Sequence, residues 1–196
     1  MSRMFLRVAK VGGSLFDVPD LPTRLRCWLD RQPGANVLIA GGGPFADVVR
    51  RVDATLSIGD SAAHRLAIDA MQMSARLLAE LMPEAELLHS LADARERVAG
   101  GGSIVLDPTE TLHSPNCRLP HSWDVTSDSI AAYVAGELQA DEFVLFKSMP
   151  LPANLNRWQA AESGLVDNYF EQAAADFASV RWINLRDTPV TERPLR

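Results

Sequence analysis

The sequence predicts an α/β fold, a three-layer αβα sandwich around a mainly parallel sheet. Three observations lead there. Short continuous apolar runs alternate with stretches at helical spacing along the whole chain. The runs are apolar throughout, as in Asn36-Val37-Leu38-Ile39-Ala40, which is the pattern of strands covered on both faces. Glycine and proline cluster where one kind of element hands over to the next.

In order, residues 4–10 read as the first strand and 21–32 as a helix carried by Leu21, Leu25, Trp28 and Leu29. The strand 36–40 breaks at Gly41-Gly42-Gly43-Pro44, and a helix resumes over 45–54 with Pro44 at its first turn. Asp60 opens a long helix to about Leu81, closed by Pro83. A short strand is expected at 86–89, a helix at 91–98 and a strand at 103–107, with Gly100–Gly102 capping the helix before it. Residues 107–123 hold three prolines and little periodicity, and read as a long substrate loop. A helix over 127–138, a strand over 142–147, a loop at 149–156, a helix over 165–177 and a strand over 180–185 complete the series. One domain over 1–186 followed by a polar, frayed tail, 187–196, is the expected organisation.

The 196 residues carry a net charge of −6, and no basic face offsets it, so a nucleic-acid binder is not expected. A local pocket can still be positive on an acidic protein. Cys27 and Cys117 give no disulfide framework, which makes a reducing cytoplasm the expected location. No apolar run is long enough to span a membrane, and no basic segment followed by an apolar signal core opens the chain.

Ligands of open α/β sheets bind beyond the carboxyl ends of the strands, and the chemically loaded motifs sit there. Lys10-Val11-Gly12-Gly13-Ser14 delivers a lysine into two glycines, whose missing Cβ atoms let backbone N–H groups approach an anion. Gly41-Gly42-Gly43 does the same before a helix N-terminus. Lys147-Ser148 ends a third strand, and Asp124-Val125-Thr126-Ser127-Asp128 opens a helix. Lys10 and Lys147 on opposite sides of a phosphate, with Asp128 holding them, form the machinery of phosphoryl transfer, where positioning and charge stabilisation do most of the work. The candidate catalytic set is therefore Lys10, Asp128 and Lys147, and the candidate phosphate-binding set Gly12, Gly13, Ser14, Gly41, Gly42 and Gly43. Thr126-Ser127-Asp128 also suits a helix N-cap, a role compatible with catalysis.

These motifs, with Leu38-Ile39-Ala40-Gly41-Gly42-Gly43 and Thr126-Ser127-Asp128-Ser129-Ile130-Ala131-Ala132, resemble the amino acid kinase superfamily from Val8 to about Val180. The resemblance implies that Lys10 contacts the transferred phosphoryl group, that the amides of Gly12, Gly13, Gly42 and Gly43 cradle phosphate oxygens, and that Asp128 orients the lysines. It implies ATP with Mg²⁺ and a homo-oligomer. Trp123–Ala132, Val144-Leu145-Phe146-Lys147-Ser148 and Gly164–Phe170 are similar to the branch of aminomethylfuranmethyl-phosphate kinases, linked to methanofuran and tetrahydromethanopterin one-carbon metabolism. The implied partner is a small phosphorylated substrate. Asp124, where amino-acid-specific relatives tend to carry Asn, would pair with an ammonium group on it.

The chain also departs from the family. Lys147-Ser148-Met149-Pro150 stands where many relatives have a Thr-Asp-Val-Asp-Gly-Val-Tyr type segment, and no Gly-Gly-Met follows. A non-catalytic binder of phosphorylated metabolites, or a kinase for a nucleoside monophosphate, an isoprenoid monophosphate or a carboxylate, stays open as an alternative. Thr126, Ser127, Asp124 and, from the long loop, Arg118 and His121 are the candidate substrate contacts, the last two for phosphate. His113, Cys117 and His121 match no usual zinc spacing, and no metal site is expected. Met71, Met73, Leu77, Leu78 and Leu81 lie at helical spacing and read as core or subunit interface.

Overall fold

A computed structural model describes residues 3–196. Seven strands form one sheet: β1 (Leu6–Val11), β2 (Ala35–Ala40), β3 (Glu86–Leu88), β4 (Gly102–Leu106), β5 (Glu142–Lys147), β6 (Val180–Asn184) and β7 (Thr191–Leu195). Their order is β3-β4-β2-β1-β5-β6-β7, with every neighbouring pair parallel except β6 and β7. The chain runs from β1 to β2, skips out to the edge strand β3, returns to β4 between β3 and β2, then crosses to β5 and leaves on the other side. The reversal between β1 and β5 opens a crevice beyond their carboxyl ends, where Lys10 and Lys147 sit.

Every residue of β1 and β2 is buried. Alternate residues feed two separate cores. Val8, Val37, Ile39, Phe143 and Leu145 point into one; Ala9, Val11, Leu38, Val144 and Phe146 point into the other. The first core is covered by α4 (Leu91–Val98) and α6 (Ser127–Glu137), the second by α1 (Leu21–Leu29). The long α3 (Asp60–Leu81) contributes Ile68 and Met71 to the first and Ala75 and Leu78 to the second. This is the three-layer sandwich the alternating runs predict. Small residues Ala131, Ala132 and Ala135 let α6 lie close on the sheet beside β1. The remaining helices are α2 (Gly43–Leu56), α5 (Thr109–His113), α7 (Arg157–Glu162) and α8 (Phe170–Ala173).

Three expectations are corrected. The tail is not frayed over 191–195: β7 pairs with β6, Leu195 is buried, and Glu192 binds Arg181 and accepts from Trp28 Nε1 at 2.8 Å. Polar and proline-bearing, it is an edge strand whose ion pairs leave no apolar alternation to read. The helix expected over 165–177 is only the single turn α8, because Asp167 turns inward to bond backbone amides elsewhere and so competes with helical continuation. The unassigned stretch before it holds α7, opened by a capping box between Asn156 and Gln159.

Candidate active site

Asp128 lies in the first turn of α6, buried, with a lysine on each carboxylate oxygen. Lys10 Nζ is 2.9 Å from Oδ1 and Lys147 Nζ 2.8 Å from Oδ2. Strand β1 supplies the first lysine, β5 the second, and the helix N-terminus favours the acid between them. Lys147 is further fixed by a 2.7 Å bond to the Leu165 carbonyl and by the Trp182 ring, whose centroid lies 5.1 Å from its ammonium.

Burial opposes the charged form of Asp128, but the two ammonium groups outweigh it and hold the carboxyl below the usual range. Lys147 goes the other way. Its burial, only partly offset by Asp128 and worsened by Lys10, pulls it down to about 8. The two lysines place positive charge beside the Asp128 carboxylate on an acidic protein, a counter-charge for phosphate.

Thr126 occupies the N-cap position of α6 but makes no side-chain cap. Asp167 does that work from outside the helix. It accepts from the amides of Thr126 and Ser129, each at 3.0 Å, and from both their hydroxyls. Burial, with the charge of Asp128 adding to it, pushes the Asp167 carboxyl up. Sequence reasoning assigned no role to Asp167, although a lone acid after Gly164-Leu165-Val166 was the available signal.

The glycines bring three turns into contact. A Cβ on Gly13 would stand 2.4 Å from the Gly43 nitrogen, and one on Gly41 would stand 2.9 Å from Ser127 Oγ and 3.1 Å from Lys10 Cε. Only backbone fits there. Not all six phosphate-site candidates offer a free amide, however. Gly12 donates to the Phe146 carbonyl and Gly41 to the Val11 carbonyl, each at 2.9 Å, so the sheet uses both. The amides of Gly13, Gly42 and Gly43 have no backbone acceptor among the described residues. Gly12 and Gly41 shape the cradle; the other three are the ones able to donate to an anion. Ser14 is exposed on the rim, its hydroxyl 2.8 Å from that of Ser148.

Lys10, Gly13, Ser14, Gly42, Gly43 and Asp128 line a groove of about 470 Å³ together with Arg50; Lys147 lies behind Asp128 and does not line it. A small, largely apolar pocket adjoins it, formed by His64, Ile68, Met71, Trp123 and Val125. Thr126 and Ser127 line both.

The other three substrate candidates lie elsewhere. Asp124 is exposed and accepts from Asn168 at 2.8 Å and Ser122 at 3.2 Å; it lines neither cavity. Arg118 is drawn away by Glu137, 3.0 Å distant, into a separate groove beside Tyr133. His121 stacks on His64 with 5.2 Å between centroids, at the outer side of the small pocket's wall. His64, buried and crowded by His121, titrates below its usual range, its burial being the larger cause.

Sheet order, lysine-aspartate-lysine bridge and glycine cradle define one class of protein. This chain belongs to the amino acid kinase family, whose sequence model matches residues 6–150. It is 32% identical over 141 residues to the [5-(aminomethyl)furan-3-yl]methyl phosphate kinase of Methanocaldococcus jannaschii, a match covering 71% of this chain and 64% of that protein. The chain thus spans a little under two thirds of that relative's length. Solved structures share the fold. The UMP kinase of Bacillus anthracis superposes with a TM-score of 0.67 at 11% identity over 100% of both chains. The uridylate kinase of Archaeoglobus fulgidus gives 0.60 at 17%, covering 90% of this chain and 88% of that one.

Proposed function

We propose that this chain is an ATP-dependent kinase that transfers the γ-phosphoryl group to a small phosphorylated acceptor, forming a phosphoanhydride. The observation that carries the reading is Asp128 held between Lys10 and Lys147 at the reversal of strand order, facing free glycine amides. Family membership supports a kinase, and the name of the relative at 32% identity favours an aminomethylfuran monophosphate as acceptor.

In this reading an oxygen of the acceptor's phosphate attacks the γ-phosphorus, the bond from that phosphorus to the β–γ bridging oxygen breaks, and ADP leaves. A phosphomonoester has a second pKa near 6, so it arrives largely as a dianion and needs no general base. Lys10 and Lys147 stabilise charge on the equatorial oxygens, the Gly13, Gly42 and Gly43 amides hold phosphate, and Asp128 positions both lysines. No group of three His, Cys, Asp or Glu side chains converges among the described residues. Asp128 is already held by two lysines. Mg²⁺ would reach the site on the nucleotide's own phosphates, the usual mode for this ion.

The test is a transfer assay with MgATP and the furan monophosphate, UMP or isopentenyl phosphate as acceptor. Lys10→Ala is expected to lower kcat by about 10²–10³-fold, the loss typical of one oxyanion-stabilising donor. Its far-UV spectrum and melting temperature should stay near those of the parent. A Lys10→Ala protein as active as the parent would sink the mechanism. A second reading, a binder without transfer, draws on Lys147-Ser148-Met149-Pro150 and the absence of a later Gly-Gly-Met. Calorimetry that finds no MgATP binding, with or without acceptor, would favour it.

A homo-oligomer is the proposed assembly. Exposed Val48, Val52 and Leu56 form a stripe on α2, with Leu66, Met73 and Leu77 exposed on adjoining α3. No helix among the described residues is long and apolar enough to cross a membrane.

A further inference from the structure

We infer that Arg50 anchors the acceptor's own phosphate, and that its seat on Trp123 makes the site selective for phosphomonoesters. The inference rests on the kinase reading above and names the residue that reading lacks. Two anions must meet in the groove, the γ-phosphoryl group and the acceptor's phosphate. Lys10 and Lys147 are both committed to Asp128 at the transfer point. Arg118, the cation the sequence suggested for the acceptor, is held away by Glu137.

Arg50 is the one charged residue that lines both the groove and the small apolar pocket. The small pocket holds only about 30 Å³, so the acceptor's body would lie in the groove, with Arg50 on the wall where the two meet. The guanidinium sits over the Trp123 ring, 5.5 Å from its centroid, and Trp123 Nε1 is fixed by a 2.9 Å bond to Asp53 Oδ2. Asp53 and Arg50 are both on α2, so the helix and the ring hold each other in place. Arg50 has a single partner, Asp47, at 2.6 Å, and both side chains are at least half exposed. Exposed pairs of this kind are weak, so an incoming phosphate can replace Asp47. The rest of the planar fork makes no hydrogen bond among the described residues and is free for bidentate contact.

The test uses the full chain and [5-(aminomethyl)furan-3-yl]methyl phosphate as probe, with its dephosphorylated alcohol as control. Arg50→Ala is expected to weaken phosphate-ester binding in calorimetry by roughly 10- to 100-fold, the worth of a charge-assisted contact, and to leave alcohol binding alone. In the transfer assay the loss should fall on the acceptor's KM more than on kcat. Arg50→Lys should recover only part of it, because the charge returns without the fork. Trp123→Leu should cost roughly 2- to 5-fold in affinity, in line with an exposed cation–π contact. Asp47→Asn should tighten binding by roughly 2- to 5-fold, and because Asp47 also lines the groove the discriminating result is that most of this gain disappears in the Arg50→Ala background.

An active Arg50→Ala enzyme with unchanged acceptor KM overturns the assignment and leaves the kinase reading standing. A parent protein that transfers nothing yet binds the monophosphate through Arg50 supports the assignment while the kinase reading fails. A parent that binds the monophosphate no better than the alcohol overturns the anchor outright.

Discussion

The two lysines of the site come from opposite kinds of terrain. Lys10 leaves a strand buried along its whole length and enters a turn in which only glycine fits. Lys147 ends β5 beside a segment of irregular backbone, where it depends on the Leu165 carbonyl and the Trp182 ring. The first wall is fixed by the sheet and by backbone packing. The second is fixed by a loop carbonyl and an aromatic ring that arrive from later in the sequence. A wall of the first kind survives most substitutions outside it; a wall of the second kind can be loosened one contact at a time.

Asp167 is where this contrast is easiest to break. Asp167→Asn keeps the size of the side chain and loses the charge that accepts from two amides and two hydroxyls at the start of α6. We expect kcat to fall about 10- to 100-fold, on the scale of one or two charge-assisted hydrogen bonds. Asp167 also helps keep Lys147 protonated, so the alkaline limb of the pH profile should move to lower pH. A helix cap with no link to the site would lower the melting temperature and leave that limb where it was.

The next effect is one of pH. Lys147 titrates near 8 in the free protein, against 10.5 for an ordinary lysine. The rate constant kcat/KM should therefore fall about tenfold for each unit well above pH 8 as the ammonium is lost. Stability should respond in the opposite sense. Between about 8 and 10.5 the unfolded chain binds the proton that folded Lys147 has released, so this group's contribution to stability improves as pH rises. Rates and urea midpoints measured at pH 7.5 and 9.5 check both signs. Bound phosphate adds negative charge, so the limb in kcat should lie at higher pH than the limb in kcat/KM. A flat kcat/KM from pH 7 to 10 would remove Lys147 from the mechanism.

The smallest effect belongs to the far edge of the sheet. Glu192→Gln removes the charge paired with Arg181 but can still accept from Trp28. The pair is part-exposed, so a loss of about 0.5–1 kcal/mol in stability is expected from denaturant titration, with kcat unaltered. A change in kcat would mean that β7 reaches the site.

The same contrast explains what could be read from the sequence. The five-residue α5 falls inside the stretch read as a loop at 107–123 and is too short to show periodicity. Apart from it, the order of strands and helices up to β5, and the meeting of Lys10, Gly13, Gly42, Gly43 and Asp128, were legible because each rests on a local signal: an apolar run, a glycine where a Cβ would collide, an acid at a helix start. Arg50 and Glu192 gave no such signal, and the lone acid at Asp167 did not by itself disclose its partners. Their roles depend on partners 11 to 164 residues away in sequence or on the meeting of two cavities. Arg118 and His121 were plausible phosphate ligands by composition, and only the packing of their loop shows Glu137 and His64 beside them.

The contact between the Gly13 and Gly43 turns carries one more consequence. Because backbone touches backbone, no side chain can be introduced at the floor of the groove to reshape it. Change in what the protein accepts would have to enter through α2, α3 and the loop bearing Trp123, which wall the small pocket. Descendants of this chain could thus acquire new acceptors while inheriting an unaltered transfer apparatus. The glycines set the limits within which the site can evolve.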